Sequence, residues 1–148
     1  AVSLNTIKLG ERGNPILLLH GWGQTLESLQ PLGELLADSA CVHLIDLPGF
    51  GKSALPDGDW DTIQYAERIR QYMDENGLDR VDLLGHSLGG RVSVRLASRY
   101  PNRVRSLTLI NAAGLQRRRS LGQQVRIQWI KWLRVLFGLI PVYGPRLK

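Results

Sequence analysis

Val81-Asp82-Leu83-Leu84-Gly85-His86-Ser87-Leu88-Gly89-Gly90 is the stretch around which the chain is organised. Val81 to Leu84 are apolar apart from Asp82 and read as a buried strand. Leu88, Val92, Leu96 and Ala97 then recur at helical spacing up to Arg99. Between the two stands G-x-S-x-G, from Gly85 to Gly89. Such a turn is too tight for side chains at Gly85 and Gly89. It strains the backbone of Ser87 and exposes its hydroxyl at the strand's C-terminal end. The helix starting near Leu88 points free N–H groups and its positive dipole end at the same spot, where an oxyanion would be stabilised. Short glycine motifs also occur wherever a strand-to-helix turn needs small residues. The flanking strand and helix are what favour the chemical reading.

On the N-terminal side, the unbroken apolar run Ile16-Leu17-Leu18-Leu19 is that of a parallel strand covered on both faces. It runs into His20-Gly21-Trp22-Gly23-Gln24, a loop whose glycines let backbone approach a ligand. Residues 2–9 are expected as an edge strand and 26–37 as a helix with Pro31 near its first turn. Cys41-Val42-His43-Leu44-Ile45 is the next buried strand. The loop Asp46-Leu47-Pro48-Gly49-Phe50-Gly51-Lys52-Ser53 ends like a phosphate loop, but G-x-x-x-x-G-K-[ST] needs glycine where Asp46 stands, and no helix follows. Nucleotide binding is therefore not expected. Residues 60–76 form a helix capped by Asp59 or Asp61 and stopped by Gly77, with Ile63, Ala66, Ile69, Tyr72 and Met73 as its apolar stripe. Residues 104–110 form the last strand before Asn111-Ala112-Ala113-Gly114. Strands alternating with helices in this way imply right-handed crossovers on a mostly parallel sheet with helices on both faces, an α/β fold.

The composition fits one globular domain of 148 residues, with 43% apolar and 22% charged side chains. The single cysteine, Cys41, excludes an internal disulfide and is expected as a buried, inert thiol. With no signal peptide at its start and no apolar run of the ~20 residues that span a bilayer, the chain is expected in the cytoplasm. The net charge of +6 hides an asymmetry. Residues 1–110 carry 11 basic and 13 acidic side chains, whereas residues 111–148 carry 8 basic and none acidic. This divides the chain into a core, 1–113, and a basic helical segment, 114–148.

The three loops at 20–24, 46–53 and 85–90, in this order, resemble those of the α/β-hydrolase superfamily. The closest likeness is to its esterase-like branch with a helical cap, which includes pimeloyl-carrier-protein methyl ester esterases and ring-cleavage-product hydrolases. The resemblance covers residues 1–113 and treats 114–148 as the start of a cap. It implies that Ser87 is a nucleophile, that the backbone N–H groups of Trp22 and Leu88 form an oxyanion hole, that the Trp22 side chain lines the acyl pocket, and that no cofactor is needed. It implies hydrolysis of short or activated carboxylic esters, slow and promiscuous, through an acyl-serine.

One departure stands out. The family's acid and base follow the nucleophile, yet no histidine lies beyond His86. The chain thus looks like the first half of a hydrolase, a truncated α/β-hydrolase. His20, His86 and a carboxylate such as Asp46 are left as candidate bases, with His20 and His86 more naturally read as loop supports. The three histidines have no metal-ligand spacing, and no metal is expected.

Beyond Arg117-Arg118-Arg119, the residues Leu121, Val125, Trp129, Trp132, Leu133, Leu136, Phe137 and Ile140 recur at helical spacing. A helix so apolar on one face needs cover. A homodimer or higher oligomer burying 121–140 and the 104–110 strand edge is expected. The alternative is a catalytically silent relic that binds acyl ligands or lies on an anionic membrane surface. Nucleic acid is not expected as a partner, since the basic residues alternate with aliphatic ones and no base-reading motif is present.

Overall fold

The computed structural model describes residues 2–112. The elements in chain order are β1 (Thr6–Leu9), β2 (Pro15–Leu19), α1 (Gln30–Leu36), β3 (Cys41–Ile45), α2 (Thr62–Glu75), β4 (Val81–His86), α3 (Leu88–Arg99) and β5 (Val104–Ile110). Short 3₁₀ turns at Leu26–Leu29 and Pro101–Arg103 lead into α1 and β5. The strands form one sheet in the order β1-β3-β2-β4-β5. β1 runs antiparallel to β3, and all other pairings are parallel.

The apolar run of β2 is explained by its central position between β3 and β4. Leu17, Leu18 and Leu19 are all fully buried. Side chains alternate across a strand. Leu17 and Leu19 accordingly pack with Ile69 and Met73 of α2 and Val92 and Leu96 of α3, whereas Leu18 packs with Leu26, Leu29 and Leu44. Helical structure therefore covers both faces. From β2 the chain crosses to β3 on one side and later to β4 on the other, so the strand order reverses beside β2. A crevice opens at the C-terminal ends of strands at such a switch point. Leu19 is level with Gly85 in the β2–β4 register, so the loops leaving these two strands emerge side by side.

Several expectations shift in detail. The 2–9 edge strand is shorter, at Thr6–Leu9. The expected 26–37 helix is divided into a 3₁₀ turn at Leu26–Leu29 and α1, which holds Pro31 in its first turn. Asp61 caps α2: its side chain accepts from Ile63 N at 2.6 Å, and Gln64 Oε1 accepts from Asp61 N at 3.0 Å. Ile63 does not belong to the apolar stripe and is 39% exposed. At 100° per residue it lies about 120° round from the centre of the buried face. That face carries Tyr65, Ala66, Ile69, Tyr72 and Met73, with Arg68 buried at its margin. Arg68 is held by the Val2 carbonyl at 2.6 Å and by Glu75 at 3.1 Å. Cys41 is half-buried, not buried, with Sγ 3.6 Å from His43 Nε2. The basic segment 114–148 and its expected 121–140 helix lie outside the described residues. Among the described residues no helix is long and apolar enough to cross a membrane.

His43 sits in the core beneath α2, with Nδ1 2.7 Å from the Tyr72 hydroxyl. Burial, helped by the Lys8 charge, lowers its pKa from 6.5 to about 4. The folded state therefore holds His43 neutral in a range where the unfolded chain binds a proton. Stability from this residue is complete above pH 6.5 and is lost as pH falls towards 4. Urea midpoints should show up to about 2 kcal/mol less stability at pH 5 than at pH 7. His43→Gln should flatten most of that slope, and an unchanged slope in the variant would assign the acid sensitivity to other groups.

Candidate active site

The elbow follows from close packing of backbone. Ser87 precedes α3 with φ 49 and ψ −108, a left-handed conformation that a non-glycine residue adopts only when its surroundings impose it. Three observations show what imposes it here. The Ser87 N–H donates to the carbonyl of Ile110, the last residue of β5, at 3.0 Å. A Cβ on Gly85 would stand 2.5 Å from the Gly89 carbonyl oxygen, and one on Gly89 would stand 2.1 Å from that of Leu19. The strand end and the first turn of the helix thus meet backbone to backbone, with β2 directly behind them.

The N-terminus of α3 is less open than the sequence implies. The Gly89 N–H donates to the His20 carbonyl at 3.0 Å, which ties the helix to the end of β2. The carbonyl of Gly89 in turn accepts from the buried Ser93 hydroxyl at 2.8 Å. The Leu88 N–H, first in the helix, belongs to the turn whose donors find no helical carbonyl.

The 20–24 loop is a turn closed by Gln24 N–H to Gly21 O at 3.2 Å, with Gly23 at φ 69. His20 is fully buried at its base. The Leu47 N–H donates to His20 Nε2 at 3.0 Å, so the proton resides on Nδ1, which donates to the Gly21 carbonyl at 2.8 Å. Burial lowers the pKa of this imidazole, outweighing the opposing effects of the Gly21 carbonyl and Asp46. Both ring nitrogens are therefore occupied, and His20 is corrected from candidate base to structural support. His86 points to the same loop. Its Nδ1 lies 2.9 Å from Gln24 Oε1.

The pinning of Gly21 has a geometric consequence. In a trans peptide the C=O and the following N–H point opposite ways. The Gly21 carbonyl is held by His20 and by the Gln24 amide, so the Trp22 N–H is directed away from both. The Trp22 side chain is 74% exposed and packs edge-on against Phe50 at 5.1 Å between centroids. Phe50 in turn packs edge-on against His20 at 5.6 Å.

Asp46 is also a support. It is 1% exposed. Its carboxylate accepts from Leu26 N at 2.7 Å, Lys52 N at 2.9 Å and Asn5 Nδ2 at 2.8 Å. The Ser53 hydroxyl donates to its backbone carbonyl at 2.6 Å. The amide that a phosphate loop would offer its ligand is thus filled by the chain's own carboxylate. These bonds leave Asp46 no role as a base.

Among the described residues no side chain hydrogen-bonds the Ser87 hydroxyl. The structure sets the 20–24 turn beside His86, the residue before Ser87, and buries His20 and Asp46 under the loops. Gln24, Phe50 and Asn5 escaped the sequence reading. A glutamine three residues after Gly21, at the fourth position of a glycine turn, is the one local signal for Gln24.

Known proteins share this fold. A family profile described as the alpha/beta hydrolase fold matches residues 14–141. A 1-acylglycerol-3-phosphate O-acyltransferase of Sus scrofa is 36% identical over 137 residues, covering 88% of this chain and 38% of its own. The dihydrolipoyllysine-residue acetyltransferase component of the acetoin cleaving system of Pseudomonas putida is 41% identical over 108 residues, covering 72% of this chain and 29% of its own. The structure of a marine microorganism esterase superposes with a TM-score of 0.74 at 27% identity, covering 90% of this chain and 51% of that one. The chain therefore spans well under half the length of these two curated relatives. It belongs to the alpha/beta hydrolase fold family.

Proposed function

We propose that the chain carries the acylation centre of a serine-dependent carboxylic ester hydrolase acting on short or activated esters with little selectivity. The observation that carries this reading is Ser87 held at φ 49 between two glycines that have no room for a Cβ, at the head of α3. The Ser87 oxygen attacks the ester carbonyl. The carbonyl oxygen becomes an oxyanion facing the N–H groups of Leu88 and Trp22. Collapse expels the alkoxide, which takes up a proton from water, and leaves an acyl-Ser87 ester, while the hydroxyl proton passes to water or buffer. Esterase chemistry in the solved neighbour and acyl transfer in the names of both relatives support the reaction class.

The described residues place no base at Ser87, and a serine without one is a weak nucleophile. An oxyanion hole and binding alone leave about 10³–10⁴-fold acceleration over water in serine proteases stripped of their triad. A base from a second copy would restore turnover. β5 supports self-association, being outermost among the described strands, with Leu107 and Ile110 each 37% exposed.

The test is the time course of p-nitrophenyl butyrate hydrolysis by this chain and by Ser87→Ala. A burst of p-nitrophenolate stoichiometric with protein, absent in the variant, is expected for the chain as a monomer. Sustained Ser87-dependent turnover with a specific rate rising with protein concentration would place the base across an interface between copies. Equal rates in the two proteins would sink the reading. They would favour the second one, a silent hydrolase-fold protein that binds acyl ligands or a membrane surface, which draws its support from the basic, tryptophan-bearing sequence of residues 117–137.

A further inference from the structure

We infer that Gln24 is a positioning residue that clasps the 20–24 turn to the elbow and thereby fixes the Trp22 amide for the oxyanion; this rests on the acylation reading above.

Gln24 Oε1 lies 3.0 Å from Gly21 N and 2.9 Å from His86 Nδ1. A backbone N–H can only donate, so the side-chain atom it meets is the amide oxygen. An amide oxygen can only accept, so His86 Nδ1 carries a proton and donates to it. Both lone pairs of one oxygen are thus used, one on the loop that follows β2 and one on the residue immediately before Ser87. The two partners are also packed together: a Cβ on Gly21 would stand 2.8 Å from His86 Nδ1 and 2.9 Å from Gln24 Oε1.

Gln24 acts on the peptide units either side of Gly21. Its side chain holds the Gly21 N–H, and its backbone N–H holds the Gly21 carbonyl. The Trp22 N–H shares a peptide plane with that carbonyl, so its direction is set by these bonds and by His20 before any substrate arrives. Oxyanion donors work because they are preorganised, and displacement of a catalytic group by about 1 Å costs up to about 10²-fold in rate. His86 anchors the clasp, so its structural purpose here is donation to Gln24, with His20 the other titratable ring beside it.

The experiment compares the full chain with Gln24→Leu and Gln24→Glu by two readouts: the burst rate constant for p-nitrophenyl butyrate, and the ¹⁵N NMR spectrum of the neutral His86 ring, which reports the nitrogen that carries the proton. Gln24→Leu should slow acylation about tenfold to a hundredfold with unchanged burst amplitude and at most twofold change in apparent substrate affinity. Gln24→Glu presents an oxygen to both donors and should acylate within about threefold of the parent at pH 8. The parent and Gln24→Glu should hold the neutral His86 ring with its proton on Nδ1, and Gln24→Leu should release it from that tautomer. Parental acylation in Gln24→Leu, or an equal loss in both variants, would overturn the inference. So would a His86 tautomer that Gln24→Leu leaves unchanged. If the parent shows no Ser87-dependent burst, the acylation reading fails and the catalytic consequence goes with it. The ring spectrum still decides whether the clasp exists.

Discussion

Gly89→Ala is expected to unfold the elbow and to lower the stability of the chain by about 3 kcal/mol or more, because overpacking against rigid backbone has nothing soft to displace. The added methyl would stand 2.1 Å from the Leu19 carbonyl oxygen, 2.5 Å from its carbon and 2.7 Å from the His20 carbonyl oxygen. All three are main-chain atoms of the central strand and the residue after it. The variant must lift the first turn of α3 from β2. That breaks the Gly89 N–H to His20 carbonyl bond and loosens Leu88, Val92 and Leu96 from the core. Gly90→Ala is the control. Its methyl would meet the Ala112 side chain at 2.8 Å but no backbone atom closer than 3.2 Å, in a segment past the end of β5. Urea midpoints should fall steeply for Gly89→Ala and far less for Gly90→Ala. Similar midpoints for the two would mean that α3 can move freely on the sheet and that the glycine is not required by packing.

This prediction also marks what could be read from the residues. The elbow was legible because its requirement is local: a strand, a backbone crossing and a helix leave room for glycine at two fixed offsets from Ser87. The apolar run 16–19 was legible as a strand covered on both faces because β2 is covered on both faces. The buried face of α2 was nearly legible. Ile63 misled because aliphatic character says nothing about angle, and Arg68 was missed because its cover comes from Val2, far away in the chain. Gln24 was missed for the same reason, its place in the glycine turn being its one local signal. Its meaning lies in His86, 62 positions away, and in a backbone N–H that no sequence pattern displays. His20 was undecided for a related reason: a histidine beside a glycine turn reads the same whether its nitrogens are free or spent, and only the bonds to Leu47 and Gly21 decide.

Asp46→Ala should cost about 3 kcal/mol or more, since each buried donor left without its acceptor costs about 1–3 kcal/mol. The carboxylate gathers donors from three segments that share no secondary structure: the residue before β1, the 3₁₀ turn before α1 and the 46–53 loop. Its removal strands the buried Leu26 amide and takes the acceptor from the part-buried Lys52 amide and Asn5 side chain. Gly51 explains why no other residue can stand in, since a Cβ there would overlap Asp46 Oδ2 at 2.1 Å. Asp46→Asn separates charge from bonding. The amide keeps one acceptor oxygen but turns an NH₂ group towards N–H donors, so the loss should be smaller than for alanine yet well above that of a surface substitution. The 46–53 loop carries Leu47, whose N–H holds His20 in its Nδ1-protonated form, and Phe50, which packs on both His20 and Trp22. Loss of Asp46 should therefore reach the Trp22 turn as well as global stability. In the fraction that stays folded, the Ser87-dependent burst should slow together with the fall in urea midpoint. A burst rate constant unchanged in folded Asp46→Asn would confine the carboxylate to holding the fold.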